Sequence, residues 1–150
     1  MYKQYIMKKD KIIYWATTGI ICAVMVYSVI NFNLKAPIGP EVYRTEGPFK
    51  HLGLPDYMRI ELSIAKALGV LALLIPGIPV KAKEFAYAGF AITLASAAIA
   101  HFSVGDGIIF IIDPLIFLCI LTVSYTYFRK LKSKPAVTEQ PAHAQRSVMA

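Results

Sequence analysis

The stretch that most constrains this chain is residues 59–106, RIELSIAKALGVLALLIPGIPVKAKEFAYAGFAITLASAAIAHFSVGD, in which two apolar runs flank a short turn. At 1.5 Å per residue, the runs over 60–75 and 85–100 are each about long enough to cross a hydrocarbon core of about 30 Å, the second more easily. Pro76, Gly77 and Pro79 stop the first run, because proline cannot donate to the helix ladder and clashes with the preceding turn. Lys81 and Lys83 mark that turn, Glu61 and Lys66 are set into the first run, and His101 and Asp106 close the second. The pattern predicts a hairpin of membrane helices with ionisable groups gathered near one mouth.

Two further apolar runs complete the chain. Residues 12–30 carry Tyr14 and Trp15 at their start and Tyr27 near their end, the placement of an interfacial aromatic belt. This run is longer than the core of a cleaved signal and lacks a small-x-small site, so it reads as a mature helix. In the last run, 108–128, Asp113-Pro114 resembles a cap followed by proline at the first helical position. The helix proper is therefore expected to begin at Asp113, with 108–112 as an irregular apolar lead-in.

The expected fold is all-α: a polytopic membrane four-helix bundle with helices about 12–31, 59–75, 84–102 and 108–128, forming one domain over 1–132. A long outer loop, 31–58, joins helices one and two; with Pro37, Pro40, Pro48 and Pro55 it is expected to lid one mouth. Within it, 41–46 suits a short helical turn. Residues 133–150, rich in Pro, Ala, Gln and Ser, read as a disordered cytoplasmic tail. In the third helix Ala86, Gly89, Thr93, Ser96, Ala97 and Ala100 share a face, and small residues let helices approach closely in lipid, so this face is the expected seam.

Hydrophobic residues make up 57% of the chain and mean hydropathy is +0.54, above the roughly 45–50% apolar usage of soluble domains. The net charge of +7 sits beside apolar blocks and not on an aromatic-interleaved patch, which argues against nucleic acid. Lysines and arginines concentrate on the N-terminal flank, the 76–83 turn and 129–134, placing both termini in the cytoplasm by the positive-inside rule. A bacterial cytoplasmic membrane is the expected location. Cys22 and Cys119 form no C-x-x-C and read as buried structural residues. There is no phosphate-binding loop, no metal motif and no pair of axial histidines for haem.

This topology gives the ionisable groups a common address. Glu61, Lys66, His101, Asp106 and Asp113 are the ligand-binding candidates at the outer mouth, with His51 in the lid. Glu61 and Lys66 lie about 140° apart around their helix and cannot pair, so the expected partners of Lys66 are Asp113 or a neighbour's Glu61. A charge at such depth pairs, snorkels or lines a wet cavity. Glu84 and Tyr87, at the inner mouth, are expected to cap the third helix and anchor it at the interface.

Several blocks are similar to a known family: L-G-L-P at 52–55, I-A-K-A-L-G-V-L-A-L-L-I-P at 64–76, K-E-F-A-Y-A-G-F at 83–90, A-H-x-x-x-G-D at 100–106 and S-Y at 124–125. They resemble the DoxX-like membrane proteins over about residues 10–130. The resemblance implies a small four-helix membrane protein, linked in the wider family to quinone-dependent thiosulfate oxidation and, in some relatives, to redox or thiol-handling partners. It marks Lys66, Glu84, Tyr87, His101 and Asp106 as the motif's polar residues. The cysteine pairs of thiol-active relatives are missing, which argues against disulfide exchange. The expected role is a membrane accessory protein without activity of its own, binding a small anionic, hydrophobic or quinone-type ligand or a partner protein in the outer half. The rival expectations are a membrane subunit of a quinone-linked oxidoreductase, with a redox partner protein, and a small homo-oligomeric transporter or channel.

Overall fold

A computed structural model describes residues 2–34, 45 and 47–133, with side chains from residue 8 of the first helix onward. The described residues form α1 (Tyr2–Asn33), the short α2 (Pro48–His51), α3 (Asp56–Leu74), α4 (Val80–Ser103) and α5 (Ile108–Ser133). The four long helices pack in cyclic order, α1 on α3, α3 on α4, α4 on α5 and α5 back on α1. Lys130 of α5 donates to Asp10 of α1 at 2.9 Å, so the start of α1 and the end of α5 share one end of the molecule, here the terminal end. The expected turn at 41–46, apart from Thr45, and the tail beyond 133 lie outside the described residues.

Three helical stretches, Lys8–Asn33, Val80–Ser103 and Ile108–Ser133, are long and apolar enough to cross a membrane. The fourth long helix, α3, carries Asp56, Arg59, Glu61 and Lys66 within 19 residues. Large apolar side chains cover the outside, Phe85, Phe102, Ile108 and Ile109 among them, an exposure suited to lipid and not to water.

Helix α1 starts ten residues before the expected boundary. Its lysines and glutamine are good helix formers, and Asp10, buried in the α1–α5 seam, is bonded to Lys130. Helix α4 starts at Val80, so Lys83 lies in its first turn and not in the preceding loop. The Lys83 ammonium is buried and reaches back to the carbonyls of Leu73 (3.0 Å) and Ile75 (3.1 Å). These are the orphan acceptors at the C-terminus of α3, where a cation is favoured.

Helix α5 runs unbroken from Ile108, which corrects the expected start at Asp113. Pro114 lies inside the helix, where it has no N–H to give the Phe110 carbonyl. The seam of α4 also differs from the expected small stripe. The buried face is Lys83, Tyr87, Phe90, Leu94 and Ala98, while Gly89 and Ser96 are exposed. Close approach is instead made by Gly69 of α3, where an added Cβ would sit 2.6 Å from the Phe90 ring. Cys22 is buried as expected, but Cys119 faces outward.

The core is densest in the terminal half. Tyr14, Tyr87 and Phe128 stack there, and the buried Ser124 hydroxyl is shared by Thr18 (2.7 Å) and Tyr87 (2.8 Å), tying α1, α4 and α5 together. Ile21, Met25 and Leu73, all fully buried, close the middle.

Candidate functional site

Beyond that plug the helices enclose a cavity of about 350 Å³ at the end opposite the termini. Its walls are mostly apolar, with Met25, Leu94, Ala97 and Phe117 below and Pro48 and Leu52 above. Three of the sequence candidates, Lys66, His101 and Asp113, line it together.

Lys66 is the most constrained of them. It is 5% exposed, donates to the Ser28 hydroxyl at 2.7 Å and lies over the Phe32 ring, 4.2 Å from its centroid. Among the described residues no carboxylate lies within ion-pairing distance, so the expected partnership with Asp113 or Glu61 is not seen. An ammonium has three N–H groups; the serine takes one.

His101 and Asp106 are brought together by the backbone. The motif H-x-x-x-G-D folds as a Schellman turn: the Asp106 N–H donates to the His101 carbonyl (3.0 Å) and the Gly105 N–H to that of Phe102 (3.2 Å). Gly105 has φ +76°, a left-handed conformation that glycine adopts without a Cβ penalty. The turn returns the Asp106 carboxylate to His101 Nδ1, 2.5 Å away. Its other oxygen meets His51 Nε2 of α2 at 2.7 Å. Burial pushes the Asp106 pKa up, but the two histidines outweigh it and hold the carboxyl below the usual carboxylate range. Asp106 thereby pins the roof of the cavity to its wall.

The roof has a second anchor. Phe49 of α2 is buried edge-on against Phe32, ring centroids 4.6 Å apart. Phe32 is thus sandwiched between the roof and the Lys66 ammonium. Beside it at the roofed end, Arg59 donates to Asn33 (2.8 Å), and Asn33 to Ser63 (3.0 Å), clasping α1 to α3.

The other candidates lie elsewhere. Glu61 is exposed and does not line the cavity, because five residues on α3 turn it away from Lys66. Glu84 sits at the terminal end, ion-paired with Arg129 of α5, and caps nothing. Tyr87 is a core residue bonded to Ser124 and not an interfacial anchor. Ser28 and Phe32, the immediate partners of Lys66, carried no signal in the sequence beyond their place on an apolar run. Among the described residues no three His, Cys, Asp or Glu side chains are arranged to hold a metal ion.

A model of the DoxX-like family matches residues 16–124, from just after Trp15 to Ser124. The chain belongs to the DoxX-like family. The match spans the cavity and both of its charged helices, so the site lies within the family's own architecture. With three helices able to cross a bilayer, this DoxX-like chain is a membrane protein. We found no significant match among curated proteins or among solved structures.

Proposed function

We propose that this DoxX-like protein is a four-helix transmembrane bundle, both termini cytoplasmic, that holds a membrane-dissolved amphiphile in the cavity beneath α2. The ligand presents an anionic or hydrogen-bond-accepting end to Lys66 and an apolar body to Met25, Leu94 and Phe117; a quinone-type ring meets both requirements. The observation that carries this reading is a buried ammonium in a mostly apolar cavity with no carboxylate within ion-pairing distance among the described residues, an arrangement that is costly unless something else uses the charge. The orientation is supported by Lys8, Lys9, Lys11, Arg129, Lys130 and Lys132, all at the terminal end.

Native mass spectrometry of the chain from mild detergent, with an absorbance spectrum of the same sample, tests the reading. A retained small molecule, lost in Lys66→Met, or a quinone-dependent rise in melting temperature that Lys66→Met abolishes, is expected. A wild type that retains nothing and responds to no quinone or lipid would refute it.

A further inference from the structure

The cavity carries two opposite charges that do not pair with each other. Lys66 and Asp113 both line it, yet among the described residues neither forms an ion pair. They also stand at different depths. Helices α3 and α5 both start at the roofed end, and Lys66 is ten residues into α3, about 15 Å along its axis. Asp113 is five residues into α5, about 7.5 Å along. The cation is therefore deep and the carboxylate shallow.

Helices α1 and α5 join through Asp10–Lys130, Tyr14–Phe128 and Thr18–Ser124, all toward the terminal end. In the other half they face each other across the cavity, with Tyr27 on α1 and Asp113 on α5, both exposed on the outer surface. An exposed carboxylate on a membrane helix marks a functional position by default.

We propose that the cavity takes the head of a zwitterionic amphiphile, its phosphate-type anion on the deep Lys66 and its ammonium on the shallow Asp113. This rests on the ligand reading above and narrows it. A purely anionic head would meet Asp113 as a like charge, a purely cationic head would meet Lys66, and a neutral ring leaves Asp113 unmatched. In a zwitterionic phospholipid the phosphate is nearest the tails and the ammonium furthest from them. The site repeats that order for a molecule of the outer leaflet, with Lys66 deep and Asp113 shallow.

The test compares thermal unfolding of the full chain in detergent with short-chain phosphatidylethanolamine, short-chain phosphatidylglycerol and free phosphoethanolamine. The wild type is expected to bind the phosphatidylethanolamine about three- to fivefold more tightly than the phosphatidylglycerol, the span of a partly exposed ion pair. Asp113→Asn, a conservative change at an exposed position, brings that ratio to about one, while Lys66→Met loses both lipids. An unchanged ratio in Asp113→Asn, with binding still dependent on Lys66, overturns this inference and leaves the ligand reading standing. Binding of every probe unaffected by Lys66→Met overturns both. Free phosphoethanolamine stabilising as strongly as the lipid overturns the membrane source of the head.

Discussion

Replacing Lys66 with Met separates a binding role from a structural one, because the two predict different stabilities. Met keeps an unbranched side chain, one heavy atom shorter, and removes the charge. The variant loses a charge-assisted bond to Ser28, worth about 1.5–3 kcal/mol, and the contact with the Phe32 ring, worth about 0.5–2 kcal/mol. It also escapes the cost of holding an ammonium out of water with no carboxylate partner, several kcal/mol in effect. These terms nearly cancel, so the unliganded variant should melt within about 1 kcal/mol of the wild type. At roughly 2–4 °C per kcal/mol for a chain of this size, the shift is at most about 4 °C. Scanning fluorimetry in detergent, following far-UV circular dichroism to confirm the fold, reads it directly. Ligand-induced stabilisation should disappear in the same variant. A loss above about 2 kcal/mol, with ligand response intact, would make Lys66 an interhelical clamp and refute the reasoning.

Asp106→Asn should loosen the roof, and the effect has a pH window. Because the histidines lower the Asp106 pKa in the folded state, its stabilisation is complete above the unfolded value of about 4 and vanishes as pH falls through the lower folded value. The stability gap between wild type and Asp106→Asn is thus open above about pH 4 and closes below it; a gap that persists undiminished in strong acid contradicts the assignment. Ser124→Ala breaks two buried interhelical bonds and should cost about 1–3 kcal/mol, less than additive with Tyr87→Phe in a double-mutant cycle. Gly69→Val drives a side chain into Phe90 and should cost about 1–3 kcal/mol, partly restored by Phe90→Leu; equal stability with and without the second change would rule out the clash. In a translocation assay, residues 56–74 alone should insert poorly, and Lys66→Leu should improve insertion by about 3 kcal/mol equivalent.

The helices were readable because four apolar runs separated by prolines, glycines and charges leave few alternatives in a bilayer. The meeting of Lys66, His101 and Asp113 was readable too, since a run up, down, up, down puts those positions near one end. What escaped were the side chains whose partners lie far off in the chain. Lys83 looked like a flanking charge because its acceptors, Leu73 and Ile75, are backbone carbonyls and leave no trace in residue identity. Asp10 looked like part of a basic flank until Lys130, 120 residues away, placed it inside. Asp113-Pro114 imitated a helix start because proline is tolerated there and, less often, within a helix. The small stripe on α4 misled for a different reason: close approach needs one small residue facing one large one, and the pair chosen is Gly69 with Phe90.

The two halves of the molecule divide the tasks of holding together and holding open. In the terminal half, the Thr18–Ser124–Tyr87 hydrogen bonds, the stacked Tyr14, Tyr87 and Phe128 rings, and the Lys83 cap hold the helices together, and among the described residues no buried side-chain nitrogen or oxygen lacks a hydrogen-bond partner. Ile21, Met25 and Leu73 then seal that half from the cavity. The opposite half replaces packing with point anchors: Phe49 on Phe32, and Asp106 between His51 and His101. Such anchors fix a roof without filling the space beneath it, so an apolar cavity with one deep ammonium survives. The same division explains why α3 carries Lys66 at its middle. A helix with that charge is poorly suited to lipid on its own, and the three apolar helices around it supply the setting in which the charge faces a cavity instead of the bilayer.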